Sequence, residues 1–414
     1  MSRRRALGTF AWVAASAVIG GIGSYVMLIV VARAVTPAEY GAFATFWSLI
    51  ALLGLGVYLP IEQETSRRIA PIAVEPGKPQ LLRTVFAVSG TLTLIVLIVI
   101  AMLSPAWVAS GFLNWTLIAA IGITIVLFTF SFPIRGIVSG LHHPARYAAT
   151  IAADGLLRIA VPFVLLAVGS GVGVYAFAVP VILVLAMLPT LPDLLSVRRM
   201  RLPAATYGSF AGSALRIVLA TFAIQALLNA PVLLSPVAAP DDPALAGRVL
   251  AVITLARIPI IIYQSVQVLY LPRVARAHEH GGHAGRIIAV AAAAALAVGV
   301  VSVLALAFLG EWVIGLIFGE GIVLGGAVEI VLALGAAIFL VAQVLSDACV
   351  ATGKHTTLVA VWIPALVAGA LAFLIPLEPA LRVSLPLLVG STVAAVAFAI
   401  VLTLTLRRRP LPVA

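Results

Sequence analysis

Apolar residues run along this chain in long stretches of about twenty positions, broken by short segments that carry charges, glycines and prolines. One such stretch is what a helix needs to cross a hydrocarbon core about 30 Å thick at about 1.5 Å per residue. The pattern predicts twelve spans, near 9–32, 41–61, 84–103, 112–133, 147–168, 172–191, 209–234, 249–271, 287–309, 322–346, 356–376 and 384–406. The predicted fold class is therefore an all-α polytopic membrane protein with about twelve transmembrane helices. These fall into two six-helix lobes, 1–191 and 209–414, joined by a cytoplasmic linker at 192–208. The first stretch follows a basic tail, as a signal peptide would, but it exceeds the usual core of about 7–15 residues and reads as a retained helix.

Composition narrows the function. Of 414 residues, 63% are hydrophobic and 9% charged, against about 25% charged in a soluble domain. This excludes a water-soluble enzyme and leaves no length for a sizeable soluble domain. The formal net charge of +11 would suggest nucleic acid in a soluble protein, but in a polytopic chain excess Lys and Arg mark cytoplasmic loops. With Arg3, Arg4 and Arg5 placed in the cytoplasm, nineteen cations fall in inside loops and three, Arg33, Arg248 and Arg382, in outside loops. The other three, Arg158, Arg216 and Arg257, fall within spans. The expected location is the cytoplasmic (inner) membrane, with both termini in the cytoplasm and no nucleic-acid partner. Cys349 is the single cysteine, which excludes an intramolecular disulfide and a cysteine metal cluster.

Two short echoes suggest duplication. Pro37-Ala38-Glu39-Tyr40-Gly41 precedes the second span and Pro243-Ala244-Leu245-Ala246-Gly247 the eighth, an offset of 206 that also relates Arg67 to Arg273. Gly140-Leu141-His142 and Gly353-Lys354-His355 precede spans five and eleven. Halves with an even number of spans insert the same way up, so their expected relation is a pseudo-twofold axis along the membrane normal. Transporters of this kind hold cargo near the midplane between lobes.

The stretch Ala32-Arg33-Ala34-Val35-Thr36-Pro37-Ala38-Glu39-Tyr40-Gly41 resembles the opening signature of the polysaccharide-export and O-antigen flippase family, within the multidrug/oligosaccharidyl-lipid/polysaccharide exporter superfamily. Leu255-Ala256-Arg257-Ile258-Pro259 with Leu271-Pro272-Arg273-Val274-Ala275-Arg276 is similar to that family's eighth span and the basic turn after it. The segment from Arg135 to Arg158, with Gly136, Gly140 and Leu156-Leu157-Arg158, is similar to its fourth-loop and fifth-span region. The resemblance runs along most of the chain. It implies a V-shaped pair of six-helix bundles that alternates between inward and outward openings and moves a lipid-linked sugar to the outer leaflet. Family members often have fourteen spans; twelve here imply an intact core without the C-terminal pair. In related flippases for peptidoglycan precursors a cavity arginine also lies on span eight.

Charges inside hydrocarbon are the candidate chemistry, because an Arg at the bilayer centre costs from about 2.5 to more than 10 kcal/mol unless it meets a cavity or a partner. Arg257, two residues before Pro259 and seven before Gln264, is read either as a diphosphate contact, Gln264 sharing its face, or as the ion-pair partner of Glu329. Arg216, about two turns into span seven, either snorkels or lines a cavity. Gln225 and Asn229, on one face of that span before Pro231, contact sugar hydroxyls or a neighbouring helix. Arg158 follows Asp154 by four and pairs with it, or is released for an anionic ligand when Asp154 takes a proton. Glu329 is the second candidate for ion coupling. Arg33 meets a departing phosphate, or caps its helix and pairs with Glu39. Gly20, Gly21 and Gly23 allow a bend or close packing.

His278, Glu279, His280 and His283 look metal-like but read as a solvated loop. Arg198, Arg199 and Arg201 in the linker suit anionic lipid heads. With Asp154 as the one embedded acid of the first lobe, cations outnumber acids and favour an anionic cargo. The expected function is a flippase for a lipid-linked oligosaccharide or polysaccharide precursor, without catalytic residues, cofactors or metal. The expected partners are the glycan substrate, membrane lipids and a coupling ion, H+ or Na+, and the chain is expected as a monomer associated with cell-envelope glycan assembly proteins. The alternatives are a multidrug or cation exporter and, below it, a membrane glycosyltransferase or ligase using Asp241-Asp242.

Overall fold

The computed structural model describes residues 3–70, 80–193, 207–279, 283–354 and 356–407. Its helices, in chain order, are α1 Arg3–Ala34, α2 Pro37–Leu53, α3 Leu59–Ile69, α4 Gln80–Ala109, α5 Trp115–Gly140, α6 Pro144–Ala167 and α7 Val172–Ala186. They continue with α8 Tyr207–Ala238, α9 Leu245–Ala256, α10 Ile258–Glu279, α11 Ala284–Phe318, α12 Gly326–Ala351, α13 Thr356–Ala372 and α14 Pro379–Arg407. Every predicted run is helical. Among the described residues, ten spans are long and apolar enough to cross a membrane; α9 with the start of α10, bent by 44°, makes an eleventh, and α13 is a shorter apolar helix. The protein is thus an all-α polytopic chain of ten to twelve spans.

Local chemistry sets the helix ends. Thr36 accepts from the Glu39 amide while the Glu39 carboxylate accepts from the Thr36 amide at 2.9 Å and from its hydroxyl at 2.8 Å, and Pro37 opens the helix. This reciprocal cap satisfies donors that a helix start leaves bare. Asn114 caps α5 by accepting from the Leu117 amide at 2.9 Å. Span two is one 33-residue stretch, Pro37–Ile69, in which α2 and α3 are joined by a π-helical turn, Gly54–Tyr58. The Gly56 carbonyl in that turn accepts from the Thr221 hydroxyl at 2.8 Å, a side chain completing what a widened turn leaves unbonded.

The chain divides into two compact units, Met1–Gln225 and Ala226–Ala414, with the division inside α8. The sequence puts the lobe boundary at 192–208, of which 194–206 lie outside the described residues. In the first unit α1 lies on α6, α3 on α5, and α5 also packs on α4 and α7. Glycines permit the closest crossings: a side-chain carbon on Gly155 would sit 2.7 Å from the Gly20 Cα, and one on Gly136 would sit 2.5 Å from the Glu62 carbonyl. The predicted glycine face of span one is therefore a packing face. Ile61, Ile69, Val85, Ile137 and Phe210 form a buried core at one end of this unit. In the second unit α12 packs on α11 and α14, and Trp362 is buried between Phe339 and Phe398, ring centroids 5.4 and 5.6 Å away.

The turns after α5 and α12 close alike. His142 (φ 58°) and Gly353 (φ 78°) take the left-handed conformation, and the next amides reach back to Val138 and Cys349 carbonyls at 3.2 and 2.8 Å, a common helix C-terminal closure. The matching positions are 142 and 353, so the echo marks a shared turn, offset by two residues from its matching letters.

Candidate functional site

One face of α6 carries the polar centre of the first unit. Tyr147, Asp154 and Arg158 are spaced by seven and eleven, which a 3.6-residue period puts in one stripe. Arg158 pairs with Asp154, Nε to Oδ2 at 2.8 Å and Nη2 to Oδ1 at 3.3 Å. Its Nη1 donates to the Ser24 hydroxyl of α1 at 3.3 Å, and its guanidinium carbon lies 5.2 Å from the Trp47 ring of α2. All four side chains are half-buried. The pairing expected from the i, i+4 spacing is present.

At the other end of the stripe the Tyr147 hydroxyl donates to Glu62 Oε1 at 2.7 Å, and Arg135 pairs with Glu62 Oε2 at 2.8 Å. Arg135 stacks over Phe132 at 4.8 Å and also feels the carboxylate of Asp154. Two acids and two guanidiniums thus alternate along α6 with no net charge, which lowers the desolvation that each would suffer alone. Glu62 and Arg135 correct the sequence reading in two respects. Asp154 is not the one embedded acid of spans one to six, since Glu62 and Glu64 are buried in α3. Arg135 is not in a loop but inside α5. Glu64 holds Arg67 and Arg68, at 2.9 and 2.6 Å, and Arg68 donates to the Ser209 carbonyl at 2.9 Å.

The second unit has its own buried acid. Asp347 of α12 accepts from the Tyr263 hydroxyl at 2.7 Å and from Gln343 Nε2 at 3.2 Å. These donors are neutral. Counted from the matched turns, Asp347 is six residues before Gly353 and Arg135 seven before His142. Corresponding helices therefore carry a carboxylate against a phenol in one unit and a guanidinium against a carboxylate in the other.

The remaining candidates are more dispersed. Arg257 is half-buried at the break between α9 and α10 and donates to the Leu228 carbonyl of α8. Gln264 is exposed, and the two helices that meet at Arg257 are bent by 44°. Glu329 is in the first turn of α12, far from the span's centre, where it accepts from the Gly325 amide at 2.9 Å; it forms no ion pair with Arg257. Arg216 is exposed and bonded to the Gly212 carbonyl of its own helix at 3.3 Å. Asn229 is buried and Gln225 half-buried on α8, the latter beside Gly56. Arg33 is exposed at the end of α1, and Glu39 belongs to the helix cap rather than to Arg33. Asp242 pairs with Arg248. His280, Arg198, Arg199 and Arg201 lie outside the described residues.

Glu62, Glu64 and Asp347 join the embedded acids and Arg135, Arg67 and Arg68 join the cations, and most of these charges are paired with one another, so the count by itself does not select an anionic cargo. The three acids were missed because a hydropathy window ends at the first charge, whereas the helix continues wherever the charge finds a partner.

No family model matches the chain. It is 28% identical to the uncharacterized protein Rv3630 of Mycobacterium tuberculosis, covering 94% of this chain and 90% of that one. It is 26% identical, with the same coverage, to the uncharacterized protein Rv1510 of that organism. Among solved structures, it is similar to the inward-facing conformation of a multidrug resistance MATE family transporter of the MOP superfamily, with a TM-score of 0.75 at 12% identity over 94% of this chain and 96% of the other. An outward-facing conformation of such a transporter gives 0.59 at 14% identity, covering 96% and 95%. A variant of the Vibrio cholerae MATE transporter VcmN gives 0.61 at 11% identity, covering 97% of both. The chain thus has the helical fold of the MATE family transporters of the MOP superfamily.

Proposed function

We propose that the chain is an alternating-access exporter of the cytoplasmic membrane that moves a lipid-linked, diphosphate-bearing glycan precursor to the outer leaflet, with both of its termini inside. The observation that carries this reading is the half-buried Asp154–Arg158 pair with Ser24 and Trp47 around it. Guanidinium, carboxylate, hydroxyl and indole together match a head that is anionic, hydroxylated and ring-shaped. Arg257, a half-buried guanidinium at the helix break of the second unit, keeps in this reading the phosphate-contact role its chemistry suits. The fold of known transporters, one solved inward-facing and one outward-facing, supports alternating access.

Asp347 is the best-placed ion-coupling group, because a buried carboxylate held by neutral donors is stabilised by taking up a proton or a monovalent cation. The same observation favours the second reading, a multidrug or cation exporter. A ligase built on Asp241-Asp242 loses support, since Asp242 is engaged by Arg248.

Proteoliposomes carrying the purified chain separate the two. A fluorescent polyprenyl-diphosphate oligosaccharide should be flipped and ethidium left unmoved. Arg158→Ala and Arg257→Ala should each slow flipping by about tenfold or more, the loss of one charge-assisted contact, with insertion intact. Asp347→Asn should remove the response to an imposed ion gradient. Ethidium export without glycan flipping would overturn the glycan reading in favour of the cation exporter.

A further inference from the structure

We infer that Arg158 and Trp47 form a subsite for the phosphate-linked sugar of the cargo, with Asp154 acting as an internal competitor for the guanidinium. The inference rests on the glycan reading and adds to it which groups recognise the head.

A guanidinium carries five N–H bonds in one plane. In Arg158, one Nη2 hydrogen is donated to Asp154 and one Nη1 hydrogen to Ser24, while Nε lies 2.8 Å from Asp154 Oδ2 without a hydrogen bond to it. One hydrogen on each terminal nitrogen has no partner among the described residues. The group is not sealed in: 20% of the Arg158 side chain and 24% of the Asp154 side chain are exposed. Arg135 is alike in exposure, at 21%, and in having a buried Nε, but its partners are Glu62 and the Phe132 ring. What sets Arg158 apart is its place between Ser24 of α1 and Trp47 of α2, with terminal N–H donors left over.

The carboxylate occupies the side edge of Arg158, and a phosphate oxygen bridging the two terminal nitrogens takes the edge that remains. Trp47 packs against the Arg158 guanidinium and is itself stacked on Phe43, ring centroids 6.1 Å apart, so it holds the guanidinium in place, and what its half-buried indole leaves for a sugar is its edge. Ser24 is placed to exchange its bond with Arg158 for one with a sugar hydroxyl. Phosphate and sugar are thus read by adjoining groups on α1, α2 and α6, three helices of one unit.

The test is a titration of the full-length protein in detergent, read by tryptophan fluorescence, with glucose 1-phosphate and with a short-chain prenyl-diphosphate glucose as probes. Wild-type protein should bind, and Trp47→Phe should lose the fluorescence response. Arg158→Lys satisfies Asp154 but has no planar fork, and should weaken binding by about tenfold. Asp154→Asn removes the competitor and should tighten binding several-fold. A merely structural ion pair predicts the reverse for that variant. Unchanged binding in Arg158→Lys, weaker binding in Asp154→Asn, or no binding of either probe overturns the subsite.

The probes also separate the sources. Binding of both, or of the prenyl form alone, assigns the site to a lipid-linked head. If only glucose 1-phosphate binds, the subsite stands for a free sugar phosphate and the lipid-linked reading fails. If wild-type protein flips the lipid-linked glycan while Arg158→Lys binds and flips it unchanged, the exporter reading survives and this subsite does not.

Discussion

Removing either partner of the Glu62–Arg135 pair leaves a charge stranded among apolar helices, because Glu62 is 5% and Arg135 21% exposed at the side chain. Glu62→Gln and Arg135→Gln are each expected to destabilise the first unit by about 3–5 kcal/mol. Tyr147→Phe removes one hydrogen bond to the same carboxylate, with an expected loss of about 1 kcal/mol. Denaturant titration in mixed micelles measures all three, and the Glu62→Gln/Arg135→Gln double variant should lose less than the two single variants added together. An additive result would show that the two groups do not interact. The spacing in α6 made part of this centre readable: Asp154 and Arg158 are neighbours by helical period alone. Glu62 and Arg135 are 73 positions apart, and no local rule joins them.

Helix packing in this protein turns on small residues where backbones nearly touch. Gly155 lies against Gly20 at the crossing of α1 and α6, and a methyl group added there must push the helices apart. Gly155→Ala is expected to destabilise by about 1–3 kcal/mol, as overpacking does. Gly90 in α4 is the control. A methyl there meets nothing within 4 Å, so Gly90→Ala should stabilise by about 0.5–1 kcal/mol through helix propensity. Thermal unfolding in detergent should move in opposite directions for the two, and equal shifts would remove the close-approach argument. Helix existence and approximate length were legible from apolar runs. Their extensions were not: span two reaches Ile69 because Glu62 and Glu64 are neutralised by Arg135, Arg67 and Arg68 on the folded helices. The bend at Arg257 was signalled by Pro259, but its angle of 44° was not.

At the scale of the molecule the charge asymmetry predicts an orientation that chemistry can read directly. Cys349 is the single cysteine and is buried, so the native chain should be silent to a membrane-impermeant maleimide. Ser110→Cys, in the exposed turn after α4, should label from outside intact cells, and His142→Cys, in the turn after α5, only after permeabilisation. The opposite pattern would invert the topology. Hydrophobic run length and the placement of Lys and Arg are properties of the chain itself, because transfer into hydrocarbon is governed by each segment's own surface and charge. By itself the sequence therefore determined the all-helical, many-span class, the approximate spans and the i, i+4 pair. Which acids are embedded and which groups each guanidinium meets depend on helix crossings and bends, and a side chain's partners exist only once distant helices have met. Those were decided by the tertiary structure.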